Sequence, residues 1–168
     1  MLPTAKSPNP KVQAWLEFEL AHFEQRWRAT FRGKLRTKKA DQVTAEDLKQ
    51  YHLIAFGEPG TNRFIRKAVA EWSDLDWTPE QLAFAGKELS AEKHLPLMIR
   101  PNPENRDKYL VINSGPTFRE GHDRTNSLQN PKLPDWALID LEQAPDGFSA
   151  GRVVGAGFFD EYWQLKRD

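Results

Sequence analysis

The chain contains no cysteine, which excludes disulfides, thiolate metal sites and cysteine nucleophiles. It has no net charge either. Its 24 Lys and Arg balance 24 Asp and Glu, so no global field draws it to nucleic acid or to an anionic membrane. No apolar run approaches the ~20 residues of a membrane span. The opening MLPTAKSPNP lacks the charged and apolar regions of a signal peptide and is expected to be a loop, as suits a cytoplasmic protein or a piece of a longer chain. Internal repeats are missing, as are GxGxxG, a GKS or GKT ending and the GxSxG nucleophile elbow.

What is present is a core. Six Trp and ten Phe stand among 168 residues, a length able to bury roughly 70% of the surface of its unfolded chain. Asn9-Pro10 opens a helix, with Asn as N-cap and Pro in the first turn. Val12, Leu16, Leu20, Phe23, Trp27 and Phe31 follow as one apolar stripe, broadened by Trp15 and Phe18 and stopped at Gly33. Arg26 to Lys39 is strongly basic, read as a solvated helix end. Residues 1–50 thus form a helical arm, and residues 51–168 an α/β domain.

A short helix opens at Thr44 and ends near Gln50. Strands are expected over 52–57, 82–86, 97–100, 109–113, 136–141 and 153–159, with a helix over 61–72. These elements predict an α/β three-layer sandwich, flavodoxin- or Rossmann-like, with a mostly parallel or mixed sheet of about six strands. The connections among the second, third and fourth strands are too short for helical crossovers, which favours mixing.

Two strand–turn–helix units, HLIAFGEPGTNRF at 52–64 and KYLVINSGPTFRE at 108–120, deliver turns to one sheet edge, where α/β proteins place ligands. The turn at Gly57–Asn62 can cradle an anion with its backbone N–H groups. Thr117 and Glu120 fit a capping box. Arg119 has no such local duty and is read as neutralising carboxylates or meeting an acidic ligand. Ser114, His122 and Asp160 are weak catalytic candidates, with Asp140 as an alternative acid. His94 is the other available base. Glu120, His122 and Asp123 cluster without matching a zinc ligand spacing, so no metal and no cofactor is expected. Gly155 and Gly157 in GAGFFDEYW are read as sites of close packing against the sheet.

The blocks LIAFGEPGTN, MIRPNPENRDKYLVINSGPTFRE, PKLPDWALIDL and VVGAGFFDEYW resemble the C-terminal segment of large bacterial hydrolases of the prolyl-oligopeptidase and dienelactone-hydrolase type. The resemblance covers about residues 20–163 and departs at Glu58, where Asp is usual. It implies a periplasmic or secreted setting. It also implies that the Ser–Asp–His chemistry belongs to an upstream α/β-hydrolase domain, leaving this chain as the accessory part.

The expected function is therefore a non-catalytic accessory domain that docks to a hydrolase or presents a small-molecule or peptide ligand to it. The ligand-binding face would be Thr61, Asn62, Arg63, Asn102, Asn113, Ser114, Thr117 and Arg119, bordered by Asp160. One alternative is a self-standing serine- or metal-dependent hydrolase acting on an ester or peptide. The other is a structural or interaction module whose contact is the N-terminal helix.

Overall fold

A computed structural model describes residues 1–114 and 134–166. Helix α1 spans Pro10–Phe31, with Asn9 Oδ1 accepting from the backbone N–H of Lys11 and Val12. It buries Val12, Trp15, Leu16, Glu19 and Phe23. The apolar stripe runs out before the helix does: Trp27 is only partly buried and Phe31 is 56% exposed. The left-handed residue at its end is Arg32, with φ of 51°, and not Gly33.

After a 3₁₀ turn at Ala40–Gln42 comes α2, Ala45–Gln50, opened by a reciprocal Thr44–Asp47 capping box. Then follow β1 (Leu53–Ala55), α3 (Arg63–Glu71), β2 (Asp76–Trp77), β3 (Gln81–Phe84), β4 (Lys87–Ser90), β5 (His94–Asn102), β6 (Asn105–Ile112), β7 (Trp136–Asp140) and β8 (Arg152–Gly157). Asn62 caps α3 by accepting from Phe64 N–H.

The expected three-layer sandwich is not what forms. The described strands make a five-stranded mixed sheet, β1-β6-β5-β7-β8, and a separate three-stranded antiparallel sheet, β2-β3-β4. Only β1 and β6 run parallel; β5–β6, β5–β7 and β7–β8 are antiparallel. Connection length accounts for the antiparallel β5–β6 pair. A parallel neighbour needs a crossover of a dozen or more residues, and β5 to β6 leaves only two between them, which forces a hairpin. The small sheet packs against the large one through Phe84, edge-on to Trp136 at 5.2 Å. Among the described residues the helices amount to one long and two short segments, too few for two layers.

One apolar cluster joins α1, α3 and both sheets through Trp15, Phe64, Ile65, Leu82, Leu95, Leu110, Ile112 and Leu138. All five β7 residues are buried, as expected for a strand covered on both faces. Trp15 Nε1 donates to Ala150 O at 2.6 Å, and Phe23 meets Phe56 edge-on at 5.8 Å, so α1 reaches across the body. Gly157 permits the close approach of β8 to Trp136, since a Cβ there would lie 2.7 Å from the indole ring. The outer edge of β1 is paired with the first residue: Met1 N–H donates to Ile54 O, and Phe56 N–H to Met1 O.

Candidate functional site

The parallel pairing Leu53↔Leu110, Ile54↔Val111 and Ala55↔Ile112 sets the carboxyl ends of β1 and β6 side by side. The turn at 56–62 and the residues Asn113 and Ser114 therefore lie side by side at one end of the sheet. Asn113 fills the space between them. Its backbone N–H extends the ladder to Ala55 O at 2.8 Å. Its side-chain oxygen accepts from Gly57 N–H at 2.9 Å, and its amide nitrogen donates to Gly57 O at 2.9 Å and Pro96 O at 3.4 Å. The residue is fully buried and left-handed, with φ of 52°. Asn is among the few side chains that tolerate this region while bonding locally.

The facing turn is closed from within. Asn62 donates from its amide to Phe56 O at 3.0 Å while its oxygen caps α3. Thr61 Oγ1 donates to Glu58 O, and Thr61 O accepts from both N–H and hydroxyl of Thr4. Glu58, the departure from the resembled pattern, accepts from Ser7 Oγ at 2.6 Å. Gly57 has φ of 120°, and a Cβ there would sit 2.8 Å from Thr61 Oγ1, so the turn requires glycine.

Arg63 and Asn102 belong to a second group. Arg63 Nε donates to Ala40 O at 3.0 Å, its Nη1 reaches Glu104 Oε1 at 3.0 Å, and its guanidinium lies 3.9 Å from the Phe64 ring centroid. Asn102 Oδ1 accepts from Glu104 N–H, which shapes the β5–β6 turn. Ser114 is buried beside Asn113. Asp160 lies in the C-terminal segment, where Oδ1 accepts from the N–H groups of Tyr162 and Gln164 at 2.9 Å. Asp140 accepts from Glu142 N–H and pairs with Arg152, and these two hold its carboxyl below the usual range. His94 Nδ1 lies 2.8 Å from Ser90 O. Thr117, Arg119, Glu120, His122 and Asp123 lie outside the described residues. Among the described residues, no three histidine or carboxylate side chains gather in a metal-binding group.

Sequence reasoning missed the most deeply buried Lys or Arg among the described residues. Arg100 is 4% exposed, paired with Asp74 and enclosed by Trp72, Phe84 and Phe159 at 5.2, 5.6 and 4.2 Å from its guanidinium carbon. A lone Arg within the apolar run LPLMIRP was the available signal. Also unforeseen is an aromatic row in which His52 stacks on Tyr109 at 5.2 Å and Tyr109 meets Trp163 at 5.4 Å. His52 Nδ1 accepts from Tyr109 N–H at 2.8 Å.

No family model, curated protein or solved structure matches the chain. No helix among the described residues is long and apolar enough to cross a membrane.

Proposed function

We propose that the chain is a non-catalytic accessory domain that docks to an α/β-hydrolase domain of the kind its sequence blocks resemble. The observation that carries this reading is the bonding of Asn113. The crevice between the carboxyl ends of the parallel strands, the usual ligand position in an open sheet, is filled by a side chain whose three hydrogen bonds all go to the chain's own backbone. Thr61 and Asn62 close the opposite wall in the same way. These residues tie the 56–62 turn to the ends of its neighbouring strands, and that is a scaffold's role. The LIAFGEPGTN and PNP blocks, which hold Thr61, Asn62 and the β5–β6 turn, then support an accessory architecture rather than a set of reacting groups.

The test is calorimetric titration of the chain into a recombinant α/β-hydrolase domain of the resembled class. Saturable heat with one-to-one stoichiometry is expected. Absence of binding across micromolar concentrations would overturn the docking reading.

A further inference from the structure

From the end of α1 to the 3₁₀ turn, the chain carries seven cations in 14 residues and no acid: Arg26, Arg28, Arg32, Lys34, Arg36, Lys38 and Lys39. A solvated helix end would account for charge alone, but three further observations set this tip apart. Phe31 is 56% exposed among these cations and packs on Trp27 at 4.5 Å between ring centroids. Arg36 donates to Tyr51 Oη at 2.9 Å and stands over its ring, which joins a second exposed aromatic to the same end. Arg32 occupies the left-handed cap position although Gly33 follows it, so an exposed arginine is held in a conformation that glycine adopts more readily. Glu24 pairs with Arg28 and Asp47 with Lys38.

We infer that this tip, centred on Arg28, Phe31, Arg32 and Arg36, is a docking surface for an acidic face of a partner protein. Exposed aromatics set among arginines are the side chains that dominate protein–protein hot spots, with the ring supplying buried area and the guanidinium binding carboxylates bidentately. The balanced charge of the whole chain disfavours a nucleic acid or an anionic lipid surface, which reward a long-range positive field. The inference rests on the docking reading for its partner, an acidic surface of the hydrolase domain, but its chemistry is testable alone.

The experiment compares the wild-type chain with the triple variant Arg28→Glu/Arg32→Glu/Arg36→Glu and with a charge-matched control, Arg66→Glu/Arg106→Glu/Lys166→Glu. All are confirmed folded by circular dichroism. Each is titrated with the hydrolase domain, poly-L-glutamate, oligo(dT) and phosphatidylglycerol vesicles at two salt concentrations. The tip variant should bind the hydrolase domain and poly-L-glutamate at least tenfold more weakly than wild type, the control within about twofold, and Phe31→Ala several-fold more weakly toward the hydrolase domain alone. Hydrolase binding that survives the tip variant overturns this inference and leaves the docking reading standing. Binding to poly-L-glutamate that the tip variant abolishes, with no hydrolase binding by wild type, overturns the docking reading and supports an acidic protein partner of another kind. Failure to bind poly-L-glutamate, or tighter binding to oligo(dT) or vesicles, overturns the inference itself.

Discussion

Arg100 and Asp74 form a two-point pair across the join between the sheets, with Nη1 to Oδ1 at 2.7 Å and Nη2 to Oδ2 at 2.5 Å. Their environments differ: the Arg100 side chain is 5% exposed and that of Asp74 35%. The aromatic faces of Phe159, Trp72 and Phe84 surround the buried cation, so β5, the small sheet, the end of α3 and the C-terminal segment all meet at one charge.

Asp74→Ala leaves that cation buried without its anion and should destabilise the fold by about 3 kcal/mol, since stranding a buried charge is more harmful than removing it. Arg100→Met, which fills the space and leaves a carboxylate able to reach water, should be milder. Urea unfolding of the two variants checks the order.

Asn113 gives a second ordered pair. Asn113→Gly loses the side-chain bonds to Gly57 and Pro96 but keeps the left-handed backbone without strain, at a loss of about 2 kcal/mol. Asn113→Ala loses the same bonds and places a Cβ at positive φ, adding about 1 kcal/mol. Denaturant midpoints with alanine below glycine are expected, the reverse of their order in a helix.

At Gly57, an alanine meets Thr61 Oγ1 at 2.8 Å in a backbone conformation that L residues rarely adopt. Gly57→Ala should cost about 2–3 kcal/mol. Gly60→Ala, where a Cβ meets nothing within 4 Å, should be near neutral. Thermal melts of the two side by side separate strain from a general effect of lost glycine.

These positions show which parts of the fold were readable in advance. Helix α1 was legible because its signals are local: Asn9, Pro10 and apolar residues at spacings of three and four. The strand positions were largely legible too, apart from Asp76–Trp77, which is two residues long, and Lys87–Ser90, which is mostly exposed and polar. Pairing was not. Whether β7 joins β5 from the opposite direction depends on contacts some 40 residues apart, and no local pattern records them. The same limit applied to the site. Asn113 and Asn62 stood out as polar residues beside turns, but the partner of Asn113 is the backbone of Gly57, 56 residues away. Without that contact, the backbone bonds of the amide cannot be read from the residue alone.

Acid should weaken the fold through Asp47. The Lys38 ammonium, then the Thr44 N–H and hydroxyl, hold its carboxyl down to about 2 from 3.8. A carboxylate with a lowered folded value contributes stability that is complete above 3.8 and is lost as pH falls toward 2. Asp47→Asn should therefore flatten the dependence of the urea midpoint on pH across that window, while wild type falls.

Turnover is the most direct test of whether the strand-end residues only hold the backbone or also react. The purified chain, wild type and Ser114→Ala, is assayed on p-nitrophenyl esters and peptide anilides. Both rates should match that of the uncatalysed reaction. Hydrolysis by wild type that Ser114→Ala abolishes in a folded protein would contradict a scaffold's role.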